Sequence, residues 1–279
     1  VTIKIVTDST ADLPPELIKE LGITVVPLYV RFGQDVYLDK VEIKEDEFYD
    51  RLLKDPVHPA TTQPTPQDFA EVYRRLSPEA DGIICIHIST KLSGTCNSAE
   101  QGKKLVENLC PIEVIDSKTV STMLGLVVIA AADIVKTAKS LSQATEEVKQ
   151  VISRIEFLVL FDTLKYLAKG GRIGKAKSLV GAMLSVRPLL TIKDGEFVPV
   201  GQVRNRAKGI EKLFDCVKGA GDIEDIAVVY STTPGEASAL ADRISAATNL
   251  KRVRVARLGP VLGVHGGPGV LAIAILKKG

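Results

Sequence analysis

Apolar residues in the first half of the chain come in short runs. "IKIVT" (3–7), "ITVVPLYV" (23–30), "IICIHI" (83–88) and "IEVID" (112–116) are five to eight residues long and rich in β-branched side chains. Runs of that length and type read as strands buried on both faces. Between them the period changes. Pro14–Leu21, ended by Gly22, and the stretches near 45–54, 66–76, 95–109, 120–138 and 142–155 read as helices. In the last of these, Val148, Val151, Ile152 and Ile155 follow the i, i+3, i+4, i+7 spacing of one helical face. "DPVHPATTQPTP" (55–66) carries too many prolines for either pattern and reads as a loop, extended until a helix begins near Pro66.

The second half is patterned differently. "FLVLF" (157–161) leads into a helical segment broken at Gly170–Gly171, and then to "LLTIKDGEFVPV" (189–200). Asp194–Gly195 supplies turn residues that tolerate positive φ, so this stretch reads as a hairpin. Helices near 205–219 and 235–248 and strands at "IAVVYS" (226–231), "RVRVAR" (252–257) and "VLAIAIL" (270–276) follow. Alternating strands and helices predict a parallel sheet covered on both faces, and a hairpin within such alternation predicts a mixed sheet. The expected fold class is therefore α/β with two domains. An N-terminal three-layer α/β/α domain with a parallel sheet spans 1–156, and a C-terminal α/β domain with a mixed sheet spans 157–279. No internal repeat or low-complexity tract interrupts this plan.

Composition narrows the function. The 279 residues are 45% hydrophobic and 25% charged, but only 5% aromatic with no Trp, so the interiors must be aliphatic. A net charge of +2 from 36 basic and 34 acidic residues supplies no field for a polyanion, and nucleic acid is not expected as a partner. The basic residues of "KRVRVAR" (251–257) alternate at period two and read as the wet face of a strand. The longest apolar run, "MLGLVVIAAA" (123–132), is about half a membrane span and ends at Asp133, so an integral membrane protein is not expected. Lys4 and Asp8 interrupt the first apolar stretch, so it does not read as a signal peptide. Cys85, Cys96, Cys110 and Cys216 show neither a C-x-x-C pair nor zinc spacing. A cytoplasmic protein with reduced thiols is expected, with no metal and no cofactor.

Familiar catalytic signatures are missing. "GGRIGKA" (170–176) has its first glycine one residue too close to Gly174–Lys175, and Ala176 stands where a phosphate loop needs Ser or Thr. No G-x-G-x-x-G follows a strand, and neither G-x-S-x-G nor H-E-x-x-H occurs. His58, His87 and His265 are dispersed, and His87, inside an apolar strand, reads as a core or interface residue.

What remains is a set of polar loops where strands should end, the usual ligand edge of an open α/β sheet. In "TDSTADLPPE" (7–16), Ser9, Thr10 and Asp12 read either as caps and turn residues or as a wall of a site. In "ISTKLSGTCNSAE" (88–100), Ser93–Gly94–Thr95 lies between a strand and a helix, where free amides favour an anion. A plain N-cap is the alternative there. Cys96 in the first helical turn could be a nucleophile, with packing as the other reading. Thr61 and Thr62 point to opposite sides of an extended segment, so only one is expected to face a given pocket. Arg172 follows a glycine C-cap and could grip a carboxylate or phosphate, or form a surface ion pair. "GVHGGPG" (263–269) reads as a glycine-rich turn bearing His265, built around a small anion or carrying its histidine incidentally.

Taken in series, "VTDSTADLP" (6–14), "TTQPT" (61–65), "LSGT" (92–95), "LAKGGRI" (167–173) and "HGGPG" (265–269) resemble the DegV family. These are bacterial fatty-acid-binding proteins that serve fatty acid kinase. The similarity spans the chain, including "RPLLTIKDGE" (187–196) and "VRNRAKGI" (203–210). The resemblance implies one long-chain fatty acid held between two domains, as ligand rather than cofactor. It implies that Thr61, Ser93 and His265 hold the carboxylate, with Arg172 close to the head group. Ser9, Thr62, Gly94, Thr95 and Gly267 are additional candidates for the site wall. It further implies no catalysis by this chain. The fatty acid kinase catalytic subunit phosphorylates the presented acid, and the acyl phosphate is carried onward to an acyl-phosphate-using acyltransferase. Thr62 stands where the family commonly has Ser. The rivals are a hydrolase or phosphotransferase acting on a small acyl or phosphate substrate, with Ser93 or Cys96 as nucleophile and His265 as base, and a small-anion sensor with no lipid tail.

Overall fold

A computed structural model describes residues 1–106, 109–182 and 186–279. The chain enters on β1 (Ile3–Asp8), passes through α1 (Pro15–Glu20) and returns as β2 (Ile23–Val26), parallel to β1. The strand predicted over 23–30 then breaks. Pro27 has no N–H to give a ladder, and Tyr29–Phe32 becomes β3 of a separate antiparallel sheet, between β4 (Asp35–Leu38) and β5 (Ala60–Thr62). Helix α2 (Glu45–Lys54) connects β4 to β5. Sequence pattern placed β5 in a loop. Pro59 and Pro64 do flank it, but the three residues between pair with β3.

Helix α3 (Pro66–Leu76) opens with a capping box of Thr65 and Asp68 and with Pro66 in its first turn. It leads to β6 (Gly82–His87), then α4 (Thr95–Lys104), β7 (Ile112–Asp116), α5 (Thr122–Thr137) and α6 (Leu141–Ser153). The helix predicted over 95–109 ends at Lys104, and its positions 107 and 108 lie outside the described residues. Strand order is β2-β1-β6-β7, all parallel. Period two sorts the side chains: Ile3, Ile5, Ile84 and Ile86 join a core with α5 and α6, while Val6, Ile83 and Cys85 pack with Phe69 and Tyr73 of α3. Three layers result, as predicted.

The second half runs β8 (Ile155–Leu160), α7 (Lys165–Lys169), a 3-10 stretch over Gly174–Ala182, then the hairpin of β9 (Arg187–Lys193) and β10 (Glu196–Val203). Asp194 and Gly195 both take positive φ at its turn. Next come α8 (Arg206–Gly219), β11 (Ile223–Tyr230), α9 (Pro234–Ala247), β12 (Arg254–Arg257), α10 (Pro260–Gly266) and β13 (Leu271–Lys277). The sheet is mixed, in the order β10-β9-β8-β13-β11-β12, with β13 inserted between β8 and β11. Its two faces differ in bulk. Leu271, Ile273 and Ile275 pack with α8 and α9, whereas Ala272, Ala274 and Ala227 face the other way, where α5 crosses. Small side chains on that face let a helix approach closely and leave room beside it.

Two expectations need correction. The arginines of "RVRVAR" are only partly a wet face: Arg252 is exposed, but Arg254 donates to Asp225 at 2.7 Å and Arg257 pairs with Asp46 of α2, both half-buried, while Val255 is exposed. Ion pairs with Asp225 and Asp46 draw Arg254 and Arg257 out of full exposure. "GVHGGPG" is not wholly a turn either, because Pro260 starts a helix that continues through His265 and Gly266. Gly263 lets α10 lie directly on Phe48 and Tyr49. Val261 and Val264 thereby join Leu28, Val30 and Phe48 in one small core, so α10 completes the unit built by β3, β4, β5 and α2. Among the described residues no helix is long and apolar enough to cross a membrane.

Candidate functional site

Strand order in the parallel sheet reverses direction between β1 and β6, and ligands of open α/β sheets favour the crevice at the carboxyl ends of such strands. A buried pair fixes this point. His87 Nδ1 lies 3.0 Å from Asp8 Oδ2, which also accepts from Ile88 N at 3.1 Å, and Thr10 N donates to Asp8 Oδ1 at 3.0 Å. His87 is thus a core residue that ties the loop after β1 to the loop after β6.

Beyond that edge a cavity of about 170 Å³ opens between the parallel sheet and the alanine-bearing face of the mixed sheet. That is roughly ten times the space one water requires, so it is no packing defect. Its walls are apolar: Ile88 and Leu92 from one side, Phe157, Phe161, Val229 and Ala272 from the other. Phe161 and Phe197 meet edge to face, 5.9 Å between centroids. Polar groups gather along one part of the lining, where Thr61, Thr62, Gln63, Ser93, Arg172 and His265 converge.

They come from four separate segments, with Thr61, Thr62 and Gln63 sharing one. Thr61 is held by the pairing of β5 with β3, and its Oγ1 lies 2.8 Å from His265 Nε2 in the last turn of α10. Ser93 precedes α4, and its Oγ meets Thr95 Oγ1 at 2.8 Å. The N-cap of α4 is Gly94, with no side-chain cap, so Ser93 is not spent on capping. Arg172 leaves the turn after α7, where its Nη1 donates to Gly170 O (2.7 Å) and its Nε to Leu92 O (3.2 Å). It therefore fastens the Ser93 loop to the end of α7.

Gly170 has a second duty. A Cβ there would overlap His265 Nδ1, so only glycine lets the imidazole lie against this backbone. Nδ1 is buried without a hydrogen-bond partner. An N–H there would be stranded, whereas a bare lone pair costs less. The proton of the neutral ring accordingly sits on Nε2, which can donate to Thr61 or to an anion.

Burial, with the Arg172 guanidinium and His58 nearby, pushes His265 down to about 4. Free histidine titrates near 6.5, so between pH 6.5 and about 4 the unfolded chain binds more protons and stability falls as pH drops. The native chain should lose about 3 kcal/mol more than His265→Gln between pH 7 and pH 4, read from urea unfolding. Equal losses in both would mean that His265 is not held neutral.

Four of the candidate wall residues lie elsewhere. Ser9 is buried outside this cavity, its Oγ accepting from Leu28 N at 3.1 Å. Gly94 and Thr95 sit behind Ser93, and Gly267 packs its backbone on the Tyr166 ring. Thr62 does line the cavity, together with Thr61, although alternation allowed only one. The short β5 lies along the rim, where both side chains of the pair reach the opening. Sequence reasoning did not single out Gln63, Ser121 or the phenylalanines. Gln63 was legible in "TTQPT", and Gly94 is bare because the Gln63 side chain occupies the space of a Cβ. Cys96 is buried, its thiol is pushed up by that burial, and its Sγ donates to Ile88 O at 3.6 Å. It is a packing residue.

Relatives share this whole architecture. A DegV domain-containing protein of Streptomyces coelicolor is 36% identical over 99% of each chain, and one from Caldanaerobacter subterraneus is 34% identical over 99% of each. Among solved structures, a DegV family protein from Thermus thermophilus, described for its fatty acid binding, superposes with a TM-score of 0.92 at 32% identity, covering both chains fully. The fatty acid binding protein DegV of Bacillus subtilis gives 0.91 at 29% identity, with 99% of each chain covered. A stearic acid-binding protein from Eubacterium ventriosum gives 0.90 at 29%, covering 99% of this chain and 98% of its own. With the DegV family model matching residues 2–278, this chain belongs to the DegV family.

Proposed function

We propose that this protein binds one long-chain fatty acid, tail in the cavity and carboxylate at Thr61, Ser93 and His265 with Arg172 alongside. It then presents the head group to a fatty acid kinase in the cytoplasm. The acyl phosphate formed there passes to an acyltransferase, and the chain itself performs no chemistry. The division at 156/157 belongs to the same reading, with the ligand between the two parts. One observation carries it: an apolar cavity lined by hydroxyl, guanidinium and imidazole groups, Thr61, Ser93, Arg172 and His265, drawn from four separate segments. The fatty acid binding described for the Bacillus subtilis protein and the stearic acid named for the Eubacterium ventriosum protein support it.

The energetics fit a carrier. Burying a methylene gains about 0.8 kcal/mol, so a sixteen-carbon tail gains roughly 12 kcal/mol before the costs of association. Adhesion comes from the tail, and the polar groups orient the head. An enzyme reading gains no support from the geometry, since Ser93 meets Thr95 rather than a base and Cys96 is buried.

Denaturing mass spectrometry of protein purified from cells should reveal a bound acyl chain. Ser93→Ala and His265→Ala should slow phosphorylation by the kinase at least tenfold while weakening fatty acid binding less than threefold. Failure to load any fatty acid would sink the proposal. Equal loss of binding and phosphorylation would sink the division of labour between tail and head.

A further inference from the structure

Asp12, in the "TDSTADLP" loop after β1, lies outside the fatty-acid cavity, and its side chain is fully buried. Three segments donate to its carboxylate. Lys40, in the turn after β4, reaches Oδ1 at 2.6 Å, and Gly259 N, just before α10, meets the same oxygen at 3.0 Å. Ser121 Oγ, just before α5, reaches Oδ2 at 2.6 Å. Ser121 makes no side-chain cap bond to α5, so its hydroxyl serves Asp12, and the residue also lines the cavity. Strain marks the same spot. Among the described residues five that are not glycine take positive φ, and three of them meet here: Asp12 at 51°, Lys40 at 63° and Ser121 at 57°. Such a backbone is costly for Lys and Ser and persists where surrounding contacts over-determine it. An ion pair that only stapled two loops together would need none of it. Gly259 is bare for a related reason, since a Cβ there would overlap Lys40 Cε and touch Asp12 Oδ1.

Gly259 is the N-cap of α10, and His265 lies six residues further on, about 9 Å along the same helix. Val261 and Leu262 line the cavity between them. At the far end there is no slack: the Gly170 backbone touches the imidazole, and Thr61 Oγ1 lies 2.8 Å from Nε2. A shift where α10 begins is therefore felt at the ring. We propose that Asp12 is a positioning residue for the carboxylate clamp, setting where α10 begins and, through that helix, where His265 Nε2 stands. The inference rests on the fatty-acid reading above and deepens it. One carboxylate outside the cavity ties the lining contributed by Ser121 to the lining contributed by α10. Buried Asp39 assists from the small antiparallel unit, accepting from Val261 N at 3.3 Å.

The test follows the His265 imidazole of Asp12→Asn by nitrogen-15 NMR, alongside hexadecanoate binding and kinase-coupled turnover. Asn keeps the shape of the side chain and an oxygen for Gly259 N, but removes the charge that holds Lys40. A loosened imidazole regains water, so His265 should titrate about one pH unit or more above its native value of about 4. Turnover should fall about tenfold, with hexadecanoate affinity within about threefold, because the apolar walls are untouched. If Asp12 acted only through its field, losing an anion would move the titration down instead. A fall, or no change, in the folded variant therefore overturns the inference. Ile273→Phe, on the opposite face of β13, is the control for general destabilisation and should leave the titration in place; an equal rise there also overturns it. Should Asp12→Asn fail to fold, Ser121→Ala decides, since it keeps the ion pair and removes one bond to Asp12. Its titration should rise too, and an unmoved one counts against the proposal in the same way. A native protein that takes up no hexadecanoate overturns the fatty-acid reading and this inference with it. An unmoved titration in a native-like variant that still binds hexadecanoate overturns this inference alone.

Discussion

Ala272→Phe is expected to abolish useful binding of a sixteen-carbon fatty acid while leaving the empty protein as stable as before. Ala272 lies on β13, fully buried, with its methyl on the cavity wall. A phenyl group there would occupy the space of about four methylenes of a bound tail. Their loss costs about 3 kcal/mol, or roughly 200-fold in affinity. In a filled core such an enlargement would cost about 1–3 kcal/mol of stability. In a cavity the ring finds room and new contacts, so the urea midpoint should move little. Ile273→Phe is the control. That residue points to the opposite face, into the packing against α8 and α9, and its enlargement should destabilise the fold without narrowing the cavity. Titration with fatty acid and urea unfolding of both variants decide the matter. Unaltered affinity in Ala272→Phe would mean that the tail lies elsewhere.

Gly170→Ala should produce the second large effect, of a different kind. The added methyl collides with His265 Nδ1, so the imidazole must leave its seat or α7 must shift. Either movement separates Nε2 from Thr61 Oγ1. Misplacement of a positioning group by about 1 Å can cost on the order of 100-fold in rate. The kinase-coupled turnover should therefore fall by about that factor, and fatty acid affinity by less than fivefold, because the apolar walls are untouched. A nitrogen-15 spectrum of the imidazole offers an independent readout, since loss of the buried environment should raise the His265 titration from about 4 toward the ordinary value. Normal turnover in Gly170→Ala would show that the seat does not matter.

Much of this architecture was readable from local pattern. The strand at 112–116 and the helices at 45–54 and 66–76 fall where their apolar spacing and caps place them. Asp194–Gly195 announced its hairpin because positive φ is a local requirement. What escaped was set by contacts distant in sequence. β5 exists only because β3 lies beside it, and α10 only because Phe48 and Tyr49 offer a surface on which its glycines can lie. The polar donors were legible as residue types in loops, and their convergence was implied by resemblance. Their positions could not be read from spacing, since Thr61 and His265 are 204 residues apart. Ser9 and Gly267 show the converse: polar or glycine residues in suggestive motifs that serve the framework, one by holding Leu28 N and one by admitting Tyr166. Ala272 and Phe157 looked like ordinary strand residues, because a hollow leaves no trace in the period of a sequence.

The placement of β13 and α10 bears on how the molecule comes into being. Both elements follow nearly everything else in order of synthesis, yet one fills the middle of the mixed sheet and the other seals the small unit formed by residues 28–62. Until they arrive, β8 and β11 have no common neighbour and Phe48 has no cover. A growing polypeptide can therefore assemble its parallel sheet early, but the cavity walls contributed by His265 and Ala272 are missing until these last elements have emerged.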